Sequence, residues 1–126
     1  MKNIDDPHTN PIFEYSVQRN VLHEKPNSPF IQATYQTNLG TLVSNHPNAT
    51  IYAMGVLNAT SGGGAGETRT TINGRISAAA TAVGSPVVYV DTTGWIDPAT
   101  DTSDGVHPTA AGQLKIRDAM IALLPA

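Results

Sequence analysis

The sequence predicts a mixed α/β fold in which helices cover both faces of a parallel sheet. From residue 34 onward, helical and strand-like segments alternate in the order helix–strand–helix–strand–helix. Two short segments, 50–57 and 87–90, are apolar at nearly every position, which is typical of strands buried on both faces. Strands that alternate with amphipathic helices belong in a parallel sheet between helical layers.

The first 32 residues form a less regular, polar N-terminal segment. Asn10 followed by Pro11 suits the N-cap and first position of a helix. An apolar stripe at helical spacing would then comprise Phe13, Val17 and Val21. The alternation of Phe13, Tyr15 and Val17 fits a strand equally well, so both alternatives stay open. Residues 23–30 are predicted to form a loop.

The next elements have sharper boundaries. A helix is predicted from about Thr34 and is ended by His46-Pro47, because Pro47 disfavours the helical conformation of the residue before it. Its apolar positions recur at helical spacing and are Tyr35, Leu39, Leu42 and Val43. The strand 50–57 follows, and the glycine-rich stretch from Asn58 to Glu67 is predicted to be a flexible loop.

The second half repeats this alternation. A helix closed by Gly84 is marked by Ile72, Ile76, Ala79, Ala80 and Val83. The strand 87–90 leads into a polar connection and then a last helix over 110–124, with Thr109 as its N-cap. Two strands make too narrow a sheet for two helical layers, because sheets commonly contain about four to six strands. We therefore expect a missing N-terminal half, a partner chain or self-association to complete the sheet.

Composition excludes several functional classes. The net charge is −3 and the seven Lys and Arg residues are scattered singly, so there is no basic patch for nucleic acid. No apolar run is long enough for a membrane span, and the N-terminus has no hydrophobic signal core. The absence of cysteine excludes disulfides and thiolate nucleophiles. A polar, weakly charged surface is common in extracellular carbohydrate-handling proteins, which makes secretion of a parent protein a hypothesis.

One short segment carries candidate chemistry, the turn Asp104-Gly105-Val106-His107-Pro108. It follows the strand 87–90, and ligands of α/β sheets bind beyond the carboxyl ends of the strands. An Asp three residues before a His can place its carboxylate against the imidazole, fix the tautomer and stabilise the imidazolium. A capped turn with an exposed histidine is the alternative interpretation of this spacing.

The whole string from Asp104 to Gln113 closely resembles the C-terminal block of the SGNH (GDSL-type) hydrolases. The preceding order of elements over residues 34–126 is similar to that family as well. The resemblance implies a flavodoxin-like three-layer α/β/α fold and ester hydrolysis by a Ser–His–Asp triad. By matching position, His107 would be the general base and Asp104 its orienting acid.

The departures from the family pattern concern the other half of the mechanism. No Gly-Asp-Ser block occurs, and the Gly-x-Asn-Asp block that helps to hold the oxyanion is also absent. The chain would therefore be the C-terminal part of one SGNH-hydrolase-like domain. Without a nucleophile and oxyanion donors, we expect the isolated chain to be nearly inactive.

Ser61 is the remaining candidate nucleophile. Its loop follows the strand 50–57 and could reach the same sheet edge, but its position does not match the family's serine. We expect Ser61, Gly62 and Gly63 to form a substrate loop instead, and Trp95 either to line the cleft or to cap the core. The scattered histidines lack zinc-site spacing, and no metal or organic cofactor is implied.

The sequence leaves two hypotheses for the function. The first is serine-esterase hydrolysis of a small acyl ester, such as an acetylated carbohydrate or a lipid, with His107 and Asp104 supplied by this chain. The second is a non-catalytic remnant, a binding or assembly module with the same fold.

Overall fold

Three parallel strands form the sheet in the computed structural model, which describes residues 12–14 and 29–125. These strands are β1 (Ile12–Glu14), β2 (Ile51–Met54) and β3 (Val87–Val90), arranged in the order β1–β2–β3. β2 is central, because Ile51 pairs with Ile12 on one side and with Val87 on the other. The prediction of two strands was therefore one strand short.

The short strand β1 decides between the two predictions for the N-terminal segment. Ile12 to Glu14 is extended and hydrogen-bonded to β2, so the helix prediction is wrong over these three residues. A run such as Ile-Phe suits a pleated strand surface once a partner strand is available. The rest of residues 1–28 lies outside the described residues. This part includes Tyr15, Val17 and Val21, on which the helix and strand predictions also depended.

Two long helices and two shorter ones connect and cover the strands. These are α1 (Pro29–Asn45), α2 (Gly66–Val83), α3 (Pro98–Asp101) and α4 (Ala110–Ala122). α1 ends before His46-Pro47 as expected, but it begins five residues earlier than the predicted Thr34. A proline is compatible with a first helical turn, because the N–H that it lacks would have no partner there.

The glycine-rich loop is more ordered than the sequence suggests. Residues Gly62–Gly64 form a single 3-10 turn, and α2 begins at Gly66. The polar connection after β3 also contains an unexpected element, the one-turn helix α3. Asp97 caps it by accepting a hydrogen bond from Ala99 N at 2.9 Å, and Pro98 occupies its first turn.

One face of the sheet packs against α1 and α2. The buried contacts confirm the helical stripes read from the sequence, since Tyr35 and Leu39 of α1 and Ile72 and Ile76 of α2 are all at most 1% exposed. The cluster also contains Ile51, Ala53, Val56, Ala79 and Ala80. Burial of each large apolar side chain contributes about 1.5–3 kcal/mol, so this layer is the main core of the described residues.

The opposite face of the sheet packs against the end of α4. Tyr52, Met54 and Val90 form a second buried cluster with Leu124, and Met120 and Leu123 pack against it. The Tyr52 hydroxyl donates a hydrogen bond to Leu123 O at 3.2 Å, which ties the last helix to the central strand. Helices therefore contact both faces of a parallel sheet, and the mixed α/β prediction is confirmed.

Within the described ranges, no helix combines the length and the apolar character needed to cross a bilayer.

Candidate functional site

The Asp104–His107 turn brings its two polar side chains together. His107 Nδ1 lies 2.5 Å from Asp104 Oδ2. The other carboxylate oxygen, Oδ1, accepts hydrogen bonds from Val106 N at 2.9 Å and from His107 N at 2.7 Å. Asp104 thus caps its own turn and contacts the imidazole at once, so the two interpretations of the spacing do not exclude each other.

These hydrogen bonds keep Asp104 ionised. The His107 backbone N–H, the His107 ring and the Val106 N–H lower the pKa of the Asp104 carboxyl to about 2. Both members of the pair are exposed, with 77% of the His107 side chain and 52% of the Asp104 side chain accessible. Water therefore screens their attraction, and the short contact depends mainly on the geometry of the turn.

The peptide of Gly105 is held from two sides. Its N–H donates to Thr102 Oγ1 at 2.7 Å, and its carbonyl accepts from Thr60 N at 2.8 Å. Gly105 has φ +86°, and an added Cβ would clash with Thr60 Oγ1. Glycine at this position is required both by the backbone conformation and by the close approach of the Thr60 loop.

The ends of the turn are closed by backbone hydrogen bonds. Ser103 N donates to His107 O at 2.9 Å, and Thr102 forms an isolated antiparallel bridge with Pro108. The chain segment that carries Asp104 and His107 is therefore a short closed loop.

Asp101 anchors this loop to α4. Its carboxylate is almost completely buried and accepts from Lys115 Nζ at 2.8 Å and from Asp97 N at 2.8 Å. The hydrogen bond from Asp97 N and the Lys115 ammonium lower the pKa of this carboxyl. Its backbone oxygen accepts from Thr109 N, and Thr109 caps α4 at Gly112 N as predicted. A Cβ at Gly112 would clash with Asp101 O, so glycine lets α4 approach α3 closely.

His107 lines a cleft of about 550 Å³ at the carboxyl end of the sheet. The opposite wall is the segment that leaves β2, including Ser61, Gly62 and Gly63, so the predicted substrate loop and the predicted base share one cleft. The remaining lining residues are Val56, Leu57, Asn58, Ala59, Gly64, Val106 and Pro108. Trp95 is absent from this set and packs against the second core cluster, which corresponds to the core alternative.

A polar cluster beneath the cleft was not anticipated from the sequence. The carbonyl of Val56 accepts from Arg69 Nε at 2.7 Å and from Thr92 Oγ1 at 2.9 Å. Asn73 Oδ1 accepts from Val56 N at 2.7 Å, and Arg69 also donates to Thr93 Oγ1 at 3.2 Å. An Arg and an Asn four residues apart on one helix face are the only sequence signal for this cluster, and such pairs are common on exposed helices. The hydrogen bonds from Arg69, Thr92 and Asn73 to the Val56 backbone fix the chain where it leaves β2.

No serine of the described residues completes the pair. Ser61 lines the same cleft, yet no hydrogen bond joins its hydroxyl to His107. Ser103 Oγ donates at 3.4 Å to the backbone oxygen of His107 and not to its ring. Residues 12–14 and 29–125 also contain no group of three or more His, Asp or Glu side chains that could hold a metal ion.

Comparison with protein-family models gives no match for this chain, and no curated protein is significantly similar to it.

Proposed function

We propose that this chain supplies the general base His107 and its orienting acid Asp104 to serine-dependent ester hydrolysis of the SGNH type. The observation that carries the proposal is the 2.5 Å contact between His107 Nδ1 and Asp104 Oδ2, made by a histidine that lines a cleft. The proposal includes the flavodoxin-like three-layer fold of that family, with which helices on both faces of a parallel sheet are compatible.

The ionised carboxylate determines which nitrogen of His107 carries the proton. A carboxylate only accepts hydrogen bonds, so Nδ1 donates, and the neutral ring keeps its lone pair on Nε2. Within the described part of the chain, no group forms a hydrogen bond with Nε2. That nitrogen can take a proton from a hydroxyl, after which Asp104 stabilises the imidazolium.

The nucleophile in this proposal is a serine from another segment or chain. As Nε2 removes its proton, the serine oxygen attacks the ester carbonyl carbon and forms a tetrahedral intermediate. The intermediate collapses with release of the alcohol, which receives the proton from His107. Water then repeats the sequence on the acyl-serine and releases the acid.

The cleft favours an uncharged ester with a small acyl group. No Lys, Arg, Asp or Glu side chain of the described residues lines it, and its side chains are mainly apolar. Its volume of about 550 Å³ falls in the range of roughly 300–1,000 Å³ found for small-molecule sites. An acetylated carbohydrate or a lipid ester satisfies these conditions.

Hydrolysis of p-nitrophenyl acetate and labelling by a fluorophosphonate serine probe test the proposal. An imidazole with an available lone pair accelerates hydrolysis of this activated ester even without a serine, so we expect slow hydrolysis and no adduct. His107→Ala should lower the rate more than His46→Ala does, and Asp104→Asn should also lower it. His46→Ala is the matched control, because His46 is exposed and precedes β2, at the opposite end of that strand from the cleft.

Each outcome has a defined meaning. A rate that is the same in the wild type and in His107→Ala contradicts the proposed role of His107. A stoichiometric adduct on Ser61 that is lost in His107→Ala contradicts the external serine. If the chain neither reacts nor hydrolyses the ester, even as an oligomer, stand-alone activity is excluded and the non-catalytic binding or assembly module is favoured.

A further inference from the structure

A second pocket lies between α2 and β3, beside the cleft but separate from it. Its volume is about 330 Å³, and its lining residues are Arg69, Thr70, Asn73, Gly74, Ser77, Tyr89, Asp91 and Thr93. None of these residues lines the cleft that contains His107. The hydrogen bond from Arg69 Nε to the Val56 carbonyl joins a pocket residue to a cleft residue, so the two cavities are neighbours.

Tyr89 brings an unused hydroxyl to this pocket. Its ring packs against the main core, and its hydroxyl lies beside Gly55, where an added Cβ would be 3.1 Å from it. Within the described ranges, this half-buried hydroxyl forms no hydrogen bond. Burial and the negative charge of Asp91 raise the pKa of the Tyr89 hydroxyl, so it stays protonated and can both donate and accept. A half-buried polar group of this kind is stabilised when water or a ligand completes its hydrogen bonds.

Asp91 and Arg69 add opposite charges with unused hydrogen-bonding capacity. Asp91 Oδ1 accepts from Thr93 N at 2.9 Å and from Thr93 Oγ1 at 2.6 Å, and these bonds lower the pKa of the Asp91 carboxyl and keep it ionised. The other oxygen, Oδ2, has no hydrogen-bonding partner among the residues that the structure describes. Arg69 uses three N–H groups on neighbouring oxygens, and its remaining N–H groups stay available.

These groups define the chemistry of a ligand. The Asp91 carboxylate only accepts, the Arg69 guanidinium only donates, and the Tyr89 hydroxyl does both, so a ligand must offer donors and acceptors close together. One positive and one negative charge side by side favour a neutral ligand, because an anion is repelled by Asp91 and a cation by Arg69. Adjacent hydroxyls of a sugar ring meet both conditions. The volume of about 330 Å³ is at the lower end of the range of roughly 300–1,000 Å³ for small-molecule sites, which suits a single ring.

We infer that this pocket binds one neutral sugar unit through Tyr89, Asp91 and Arg69. The binding is non-covalent and requires neither His107 nor an ester, so the inference goes beyond the proposed function. A free sugar and the terminal sugar of a glycan present the same hydroxyl groups to these three side chains.

Titration of the ¹⁵N-labelled chain with the methyl glycosides of glucose, galactose, mannose and xylose tests this inference by NMR. We expect at least one of them to give saturating shifts at the amides of Ser77, Asp91 and Thr93. The dissociation constant should be about 1 mM, because a few hydrogen bonds form in competition with water. The amides of Gly62 and His107, in the cleft, should not shift.

Two variants remove one interaction each. Tyr89→Phe deletes only the hydroxyl and should weaken binding about three- to tenfold, the loss of one hydrogen bond. Asp91→Asn keeps an oxygen for Thr93 N but removes the charged acceptor, and should weaken binding about tenfold or more. Tyr52→Phe, on the opposite face of the sheet, and Asp118→Asn, at an exposed position of α4, are the matched controls and should bind as the wild type does.

The outcomes separate this inference from the proposed function. The absence of saturating shifts with all four glycosides overturns the inference, as do equal affinities of Tyr89→Phe and Tyr52→Phe, and neither result bears on the role of His107. Sugar binding should persist in His107→Ala, and its loss there would contradict a separate site. For a glycoside that binds, an equal affinity of the corresponding disaccharide supports a free sugar as the ligand, and a tighter one supports the end of a glycan.

Discussion

Replacing Gly105 by alanine should destabilise the protein through two effects that can be measured separately. The first is conformational, because Gly105 has φ +86° and an L-residue in the left-handed region costs about 1–2 kcal/mol. The second is steric, because the new Cβ clashes with Thr60 Oγ1 and lies 3.2 Å from Thr60 Cβ. Overpacking of this kind costs about 1–3 kcal/mol, and the exposed Thr60 side chain can rotate, so the lower end applies. The expected total is about 2–3 kcal/mol.

Urea unfolding of three variants separates these two contributions. Gly94→Ala is the matched control, because Gly94 has φ +79° and an added Cβ there meets nothing within 4 Å, so it should lose only the conformational part. Thr60→Ala removes the clashing hydroxyl and should by itself change the free energy of unfolding by less than about 0.5 kcal/mol. The double variant of Thr60 and Gly105 should recover the steric part, which gives a coupling energy of about 1 kcal/mol.

Two results would refute this reasoning. If the Gly105→Ala variant is no less stable than the Gly94→Ala variant, then the Thr60 loop does not approach Gly105 closely. A double variant without recovery would show that the loss has another origin. The ¹⁵N shifts of the His107 ring in each variant would report whether the contact with Asp104 survives.

Three further predictions concern the core, the polar cluster beneath the cleft and the turn that carries Asp104 and His107. Leu39→Ala should cost about 2–5 kcal/mol, because this side chain is fully buried. Asn73→Ala should cost about 1–3 kcal/mol, because it leaves the buried Val56 N–H without its acceptor. The Asp104 carboxyl should titrate near pH 2 by ¹³C NMR, so its contribution to stability is present above its ordinary pKa and is lost as the pH falls toward 2. In His107→Ala, this pKa should rise but stay below 3.8, because the backbone N–H donors remain.

Each of these predictions has a control or a contradicting result. Leu114→Ala, at a half-exposed position of α4, should change the free energy of unfolding by less than about 0.5 kcal/mol. Asn48→Ala should be equally mild, and equal losses of stability in Asn73→Ala and Asn48→Ala would contradict the role of Asn73. An Asp104 pKa near 4 in the wild-type chain would show that the turn does not hold the carboxylate as described.

The long helices could be predicted from the sequence because periodicity is a local signal. Tyr35 with Leu39, and Ile72 with Ile76, each mark a face that must be buried, and Pro47 and Gly84 mark the helix ends. The strand β1 could not be assigned in the same way. Three residues contain too little pattern to distinguish helix from strand, and their conformation depends on pairing with β2, about forty residues away along the chain.

In the candidate site, too, the sequence predicts the local contacts but not those between distant segments. The contact between Asp104 and His107 follows from their spacing and the glycine between them, so the sequence predicts it. The hydrogen bond between Thr60 and Gly105, and the donors that converge on Val56, join separate loops and helices. Their formation depends on how α2 and the loop after β3 pack beside β2, which no local pattern encodes.

The bond between Thr60 and Gly105 has a consequence for engineering this cleft. The two residues are 45 positions apart, yet each loop is part of the scaffold of the other. Shortening or replacing the glycine-rich loop alone would remove the partner of the Gly105 carbonyl and would alter the orientation of the imidazole. Residues 58–64 and 102–109 therefore form one transplantable unit, and a redesign of the cleft would require exchanging both.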